Sequence, residues 1–279
     1  MGNEWANYYF PDALGSYWTY ENEDGDEFTR YAIEPQDIDG ETYRAFSHDP
    51  PLEDWEDYKY HIHSYFYQVG DDWVAFLTGD EIENAMKALV TNKLDEGVLQ
   101  PLREQLEQTA PPGITFEIST TFDAEAQDYF YFFPTPITYN EEWNSMTSQG
   151  EFVITIDVAG DPNEIPPGGA LIFTFNFNFS ETGTVKTTET VETPAGTFED
   201  CLKIEFQTDM GMTLETSPPM EGMQSMLPDN TKSLTTLWLA PNVGLVKMEQ
   251  EAENNDTTKT FELTGYEIKT TESGNGETN

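Results

Sequence analysis

Residues 170–180 place Leu171, Phe173, Phe175, Phe177 and Phe179 at every second position, with Thr174, Asn176, Asn178 and Ser180 between them. A period of two puts all five large apolar side chains on one face and the polar ones on the other, which a helix cannot do. Such a segment is a half-buried strand, and it requires a sheet whose apolar face is covered. Phe152, Ile154, Ile156 and Val158 repeat the pattern over 151–158, and Leu202, Ile204 and Phe206 repeat it over 201–206. Asp24-Gly25, Asp39-Gly40 and Thr182-Gly183 read as turns, and the Pro-Pro-Gly-Gly run at 166–169 reads as a loop. The expected fold is mostly β (α+β in class), built of curved antiparallel half-barrel sheets.

From Asp80 to Gln108 the period changes. Ile82, Met86, Leu89 and Val90 recur at helical spacing, as do Val98, Leu99, Leu102 and Leu106 after Gly97, while Thr78 and Glu81 form a capping box. This predicts a helix near 80–94, a break at 95–97 and a second helix near 98–108, with one apolar stripe of each against the sheet. The two sides of this helical insertion carry similar features in the same order. Phe10-Pro11, Trp18, a Pro35-to-Gly40 turn before Thr42-Tyr43 and a strand ending at Val69-Gly70 stand on one side. Phe133-Pro134, Trp143, a Pro194-to-Gly196 turn before Thr197-Phe198 and Val243-Gly244 stand on the other. The implied organisation is a first β repeat over 1–79, an insertion over 80–110, a second β repeat over 111–269 and a disordered tail over 270–279, packed as one unit.

The chain has 279 residues, and its 53 acidic against 12 basic side chains give a net charge of −41. That balance excludes a nucleic-acid footprint and docking on anionic lipid, both of which need basic surface. No apolar run approaches the ~18 residues of a transmembrane helix. Aromatic residues at 14% supply the apolar bulk that disordered chains lack. The single Cys201 rules out an internal disulfide framework and multi-cysteine metal sites. Three readings of the charge stand together: plain solubility, adaptation to salt, and carboxylates that hold Ca²⁺. Self-repulsion among carboxylates predicts that the melting temperature rises as NaCl goes from low to molar concentration, and a flat or falling curve would remove repulsion as a significant contribution.

Three segments carry a resemblance. They are Tyr9-Phe10-Pro11 with Gly15 through Tyr20, then Thr193-Pro194-Ala195-Gly196-Thr197-Phe198-Glu199-Asp200-Cys201-Leu202-Lys203-Ile204, then Trp238-Leu239-Ala240-Pro241-Asn242-Val243-Gly244-Leu245-Val246-Lys247. Together the set resembles exported or lipid-anchored bacterial proteins of the TapB-like kind, distantly similar to periplasmic lipoprotein carriers. The resemblance implies export and a curved antiparallel half-barrel with helices against its concave face, and it brings no catalytic residues. The start, Met1-Gly2-Asn3-Glu4, has neither a basic nor an apolar signal region and no lipid-attachment cysteine. The expectation is therefore a periplasmic or extracellular protein in its mature form.

Candidate chemistry is sparse. His48, His61 and His63 lie within 16 residues, and a strand carrying His61-Ile62-His63 would put both imidazoles on one face at metal-ligand spacing. The preferred reading places them on the solvent face, with Ile62 inward and no metal bound. Met210, Met212, Met220, Met223 and Met226 fall in a segment with Pro218-Pro219 and Gly222, read as a long irregular loop. Thioethers are pliable apolar surface, so Met212, Met220, Met223, Met226 and Trp238 are the candidate ligand-binding residues of an apolar lid. Cys201 is expected to face away from Leu202, Ile204 and Phe206, without a base beside it. No catalytic residue and no cofactor is indicated, with Ca²⁺ the one cation the surface would suit. The expected function is a non-enzymatic exported binding or carrier module for an apolar small molecule or lipid. A structural surface protein with an acidic, salt- or Ca²⁺-adapted face is the alternative, and a metal-dependent hydrolase using the histidines is third. Oligomeric state is open.

Overall fold

The computed structural model describes residues 8–51, 60–78, 99–109, 113–160, 170–220, 231–252 and 255–269. Its strands are β1 (Tyr17–Asn22), β2 (Glu27–Ile38), β3 (Glu41–Asp49), β4 (Phe66–Val69), β5 (Trp73–Leu77), β6 (Thr115–Ala126), β7 (Tyr129–Pro134), β8 (Glu142–Ala159), β9 (Ala170–Thr193), β10 (Gly196–Ser217), β11 (Thr231–Ala240), β12 (Gly244–Ala252) and β13 (Asn255–Glu267). They form one 13-stranded sheet in the order β6-β8-β9-β10-β11-β12-β13-β1-β2-β3-β4-β5-β7. Neighbours pair antiparallel throughout, as hairpin-connected strands do.

The alternation read in the sequence sets the faces. Phe152, Ile154, Ile156 and Val158 on β8 are buried, and so are Leu202, Ile204 and Phe206 on β10. β8, β9 and β10 are long enough to serve two hydrophobic clusters. Their far halves, with β6, form a wing around Phe152, Ile154, Ile156 and Phe175. Their near halves join the remaining strands around the main core, where Trp18, Tyr20, Phe46, Phe76, Phe130 and Phe206 are buried. A bulge between Asn144 and Met146 lets Trp143 and Ser145 face inward at one end of β8 and Met146 and Phe152 at the other.

The ladder does not close into a barrel. β7 meets the near end of β8 through side chains. Trp143 Nε1 and Ser145 Oγ both donate to the Tyr131 carbonyl, at 2.8 and 3.0 Å, and Gln127 Nε2 donates to the Ser145 carbonyl at 2.7 Å.

Two of the three expected turns are present. Asp39 and Gly40, with φ of 51° and 89°, make the two-residue turn of the β2–β3 hairpin, and Gly25 sits at φ 87° between β1 and β2. Thr182-Gly183 is not a turn: both lie inside β9. Gly183 instead makes room for Trp143, because a Cβ there would stand 2.3 Å from the indole.

A helix runs over Gln100–Thr109, within the second expected helix, and the buried Leu99 before it packs on the wing. The expected helix at 80–94 and the break at 95–97 lie outside the described residues, as does the expected tail at 270–279. The sheet runs unbroken across the two expected halves: β1 to β5 are joined to the rest by β13–β1 and β5–β7 pairing.

Candidate functional site

The three histidines are buried, which for His61 and His63 corrects the solvent-face expectation. Tyr60–His63 forms a single helical turn rather than a strand. Residues two apart on a helix point about 200° from each other, so His61 and His63 enter the core in different directions. His61 lies between the Phe130 and Phe206 rings, and its Nε2 is 3.2 Å from Glu181 Oε1. Thr208 Oγ1 donates to Glu181 Oε2 at 2.9 Å. In this order the hydroxyl points at the carboxylate and not at the imidazole. His63 packs edge-on against Phe28, and His48 stands 6.0 Å from His63 between ring centroids. Among the described residues, no three His, Cys, Asp or Glu side chains converge as metal ligands.

Arg30 faces the same interior from β2, directly across the ladder from His48 on β3. Only 3% of it is exposed. Its guanidinium carbon lies 4.4 Å over the Phe46 ring and 5.0 Å over Trp18, a cation–π arrangement. Nη2 donates to Tyr20 OH at 3.3 Å, while Nε has no hydrogen-bond partner. Neither ring nitrogen of His48 completes a hydrogen bond.

Burial first, and the Arg30 charge second, push His48 down from 6.5 to about 3, against a weaker opposing pull from the Ile62 backbone. The unfolded chain therefore binds a proton here that the fold does not, and stability rises with pH between those two values. The slope is at most about 1.4 kcal/mol per pH unit. In low-salt buffer, denaturant titrations of His48→Phe should show less loss between about pH 6.5 and pH 4 than the unsubstituted protein. Parallel curves would show that His48 titrates as an ordinary histidine.

Of the predicted ligand residues, Met212 and Trp238 do not come together. Residues 210–217 belong to β10, so the expected loop over 210–226 is shorter than read. Met212 is half-buried against the wing cluster, opposite Phe177. The Met220 N–H donates to Thr216 Oγ1 just past the strand. Met223 and Met226 lie outside the described residues. Trp238 sits on β11, on the face opposite to Leu237 and Leu239, with Lys203 and Lys247 as its cross-strand neighbours. Both ammonium groups lie over its ring, at 5.5 and 5.6 Å, and its Nε1 donates to Glu189. Trp238 is thus covered by lysine stems and Met212 belongs to a different part of the sheet.

Cys201 is also displaced from expectation. A register shift between Phe198 and Cys201 turns its thiol into the core beside Leu202, and burial pushes it up to about 11.

The wing has two unlike faces. On one, Phe116, Ile118, Phe122, Phe173, Met212 and Leu214 are only half-buried around the cluster. On the other, rows of cross-strand neighbours run Asp123–Glu151–Asn176–Thr213 and Glu125–Gln149–Asn178–Gly211. All of these but Gly211 line a cleft of about 560 Å³, together with Ala124, Gly150 and Phe177. Its walls mix carboxylates and amides with apolar surface. No described helix is long and apolar enough to cross a membrane.

The class these features define is an open antiparallel β protein with a second, partly covered apolar face. A family model described as DUF3108-like matches residues 179–263, from the middle of β9 into β13. Two of the three segments that carry the TapB-like resemblance fall inside that range. No curated protein matches the chain. Among solved structures, the chain is similar to a candidate lipoprotein from Parabacteroides distasonis, at 14% identity and TM-score 0.40, covering 93% of this chain and 98% of that one. It is also similar to a candidate exported protein with YmcC-like fold from Bacteroides fragilis, at 13% identity and TM-score 0.37, covering 93% and 99%.

Proposed function

We propose that this chain is a non-enzymatic exported binding module that takes an apolar small molecule or lipid on the wing. The observation that carries this reading is the row of half-buried Phe, Ile, Leu and Met side chains on β6, β9 and β10. Partly exposed contiguous apolar surface is what binding sites present and what ordinary surface avoids. The wing is chosen over the main core because the main core is filled by Trp18, Tyr20, Phe46, Phe130 and Phe206. Export rests on the resemblance of the three segments. That filled core, together with the open outer edge of β6, favours the second reading, a structural surface module without a ligand.

Native mass spectrometry of protein purified from its own source, combined with uptake of an environment-sensitive apolar dye, separates the two. Met212→Gln with Leu214→Gln should cut dye uptake about tenfold while leaving the main core intact, since a 1.4 kcal/mol loss is already a factor of ten. A bare chain in the spectrometer and unchanged dye uptake would give the lead to the structural reading.

A further inference from the structure

Among the described residues, Arg30 is a buried charge that no carboxylate pairs with. Guanidinium groups in protein interiors are paired, because an isolated ion loses its hydration and gains nothing in return. Here the rings of Trp18, Tyr20 and Phe46 lie around the cation. Cation–π contact uses the flat face of the guanidinium, whereas its N–H donors lie in the plane. The Nε donor is left unmet. The carboxylate of Asp12 does not fill this need, because Arg44 and the Tyr67 hydroxyl both engage it. The imidazole of His48 stands opposite Arg30 in the β2–β3 register, at a position where Cβ atoms are about 4.5–5.5 Å apart. Neither of its nitrogens completes a hydrogen bond, although the Ile62 backbone acts on the ring, so an N–H of the imidazole can be given to a guest.

We propose that Arg30 Nε and the His48 imidazole hold one small monovalent anion of halide type inside the main core. The charge requirement selects an anion over water: water satisfies a donor but does not neutralise the guanidinium. One cation calls for one negative charge, and the rings packed closely over Arg30 favour a small ion over a large one.

The test uses the full chain purified without halide. Melting is followed in NaCl, NaBr and sodium gluconate at matched sodium and ionic strength, so that general screening is the same in all three. Halide should raise the melting temperature by about 3–6 °C over gluconate, with a saturable dose response. The increment should vanish in Arg30→Met and shrink in His48→Phe. Bromide soaked into crystals should give an anomalous peak between Arg30 Nε and the His48 ring. An equal halide increment in folded Arg30→Met, or a linear response without saturation, overturns the assignment. Should Arg30→Met not fold, the His48→Phe increment and the bromide peak decide, and absence of the peak overturns it.

Discussion

Glu181→Ala should lower the melting temperature by roughly 6–20 °C, from a loss of about 3–5 kcal/mol. The side chain is fully buried, and its two oxygens serve different partners, His61 Nε2 and Thr208 Oγ1. Removing the carboxylate takes away the acceptor that faces His61 Nε2 and Thr208 Oγ1 beside Phe130 and Phe206, and a buried polar atom that loses its partner costs more than a hydrogen bond gains. Glu181→Gln keeps one acceptor oxygen and should lose less. Calorimetry would decide: an alanine variant melting within about 2 °C of the parent protein would mean that water refills the site at little cost.

Phe206→Ala should cost a similar amount, about 3–5 kcal/mol, by a different route. The ring is fully buried and touches Phe130, Phe132 and Trp143, with centroids 5.4, 6.2 and 6.0 Å away. Phe130 and Phe132 belong to β7 and Trp143 to β8, the two strands that meet without a ladder. The ring therefore holds from inside a seam where a backbone hydrogen bond from Gln127 N–H to the Thr147 carbonyl, at 3.1 Å, stands at one end and no ladder follows. Amide exchange in β7 should accelerate more than in β12, which is paired on both sides. Uniform acceleration across the sheet would show that Phe206 is ordinary core with no special hold on the seam.

The alternation of apolar residues was enough to place the inward faces of β8, β9 and β10, because strand period depends on local backbone geometry alone. Features fixed by distant partners were not legible. Gly183 looks like a turn residue until Trp143, forty positions earlier, is known to lie on it. The single turn at Tyr60–His63 is too short for helical periodicity to register. Cys201 follows a bulge, and a bulge changes which face every later residue takes. Met212 and Trp238 were grouped by residue type, which says nothing of their places on the sheet. Arg30 did leave a local signal. Phe28, Arg30 and Ala32 alternate with Thr29 and Tyr31, so the guanidinium occupies an apolar slot, and all three are buried.

The pairing of β1 with β13 has a kinetic consequence. Trp18 Nε1 donates to the Val243 carbonyl at 2.6 Å and Tyr20 OH to the Leu245 carbonyl at 2.9 Å, each across 225 residues of chain. β1 thus finds its buried partners only at the start of β12. Before that segment emerges, β1 has only the hairpin with β2, and a two-stranded hairpin is marginal in water. Contacts of such sequence separation form late and slowly, since a long loop must close before they are rewarded. The buried partners of Trp18 and Tyr20 are therefore missing, and β1 stays open to unfolded-state binders, until the segment that forms β12 has joined it.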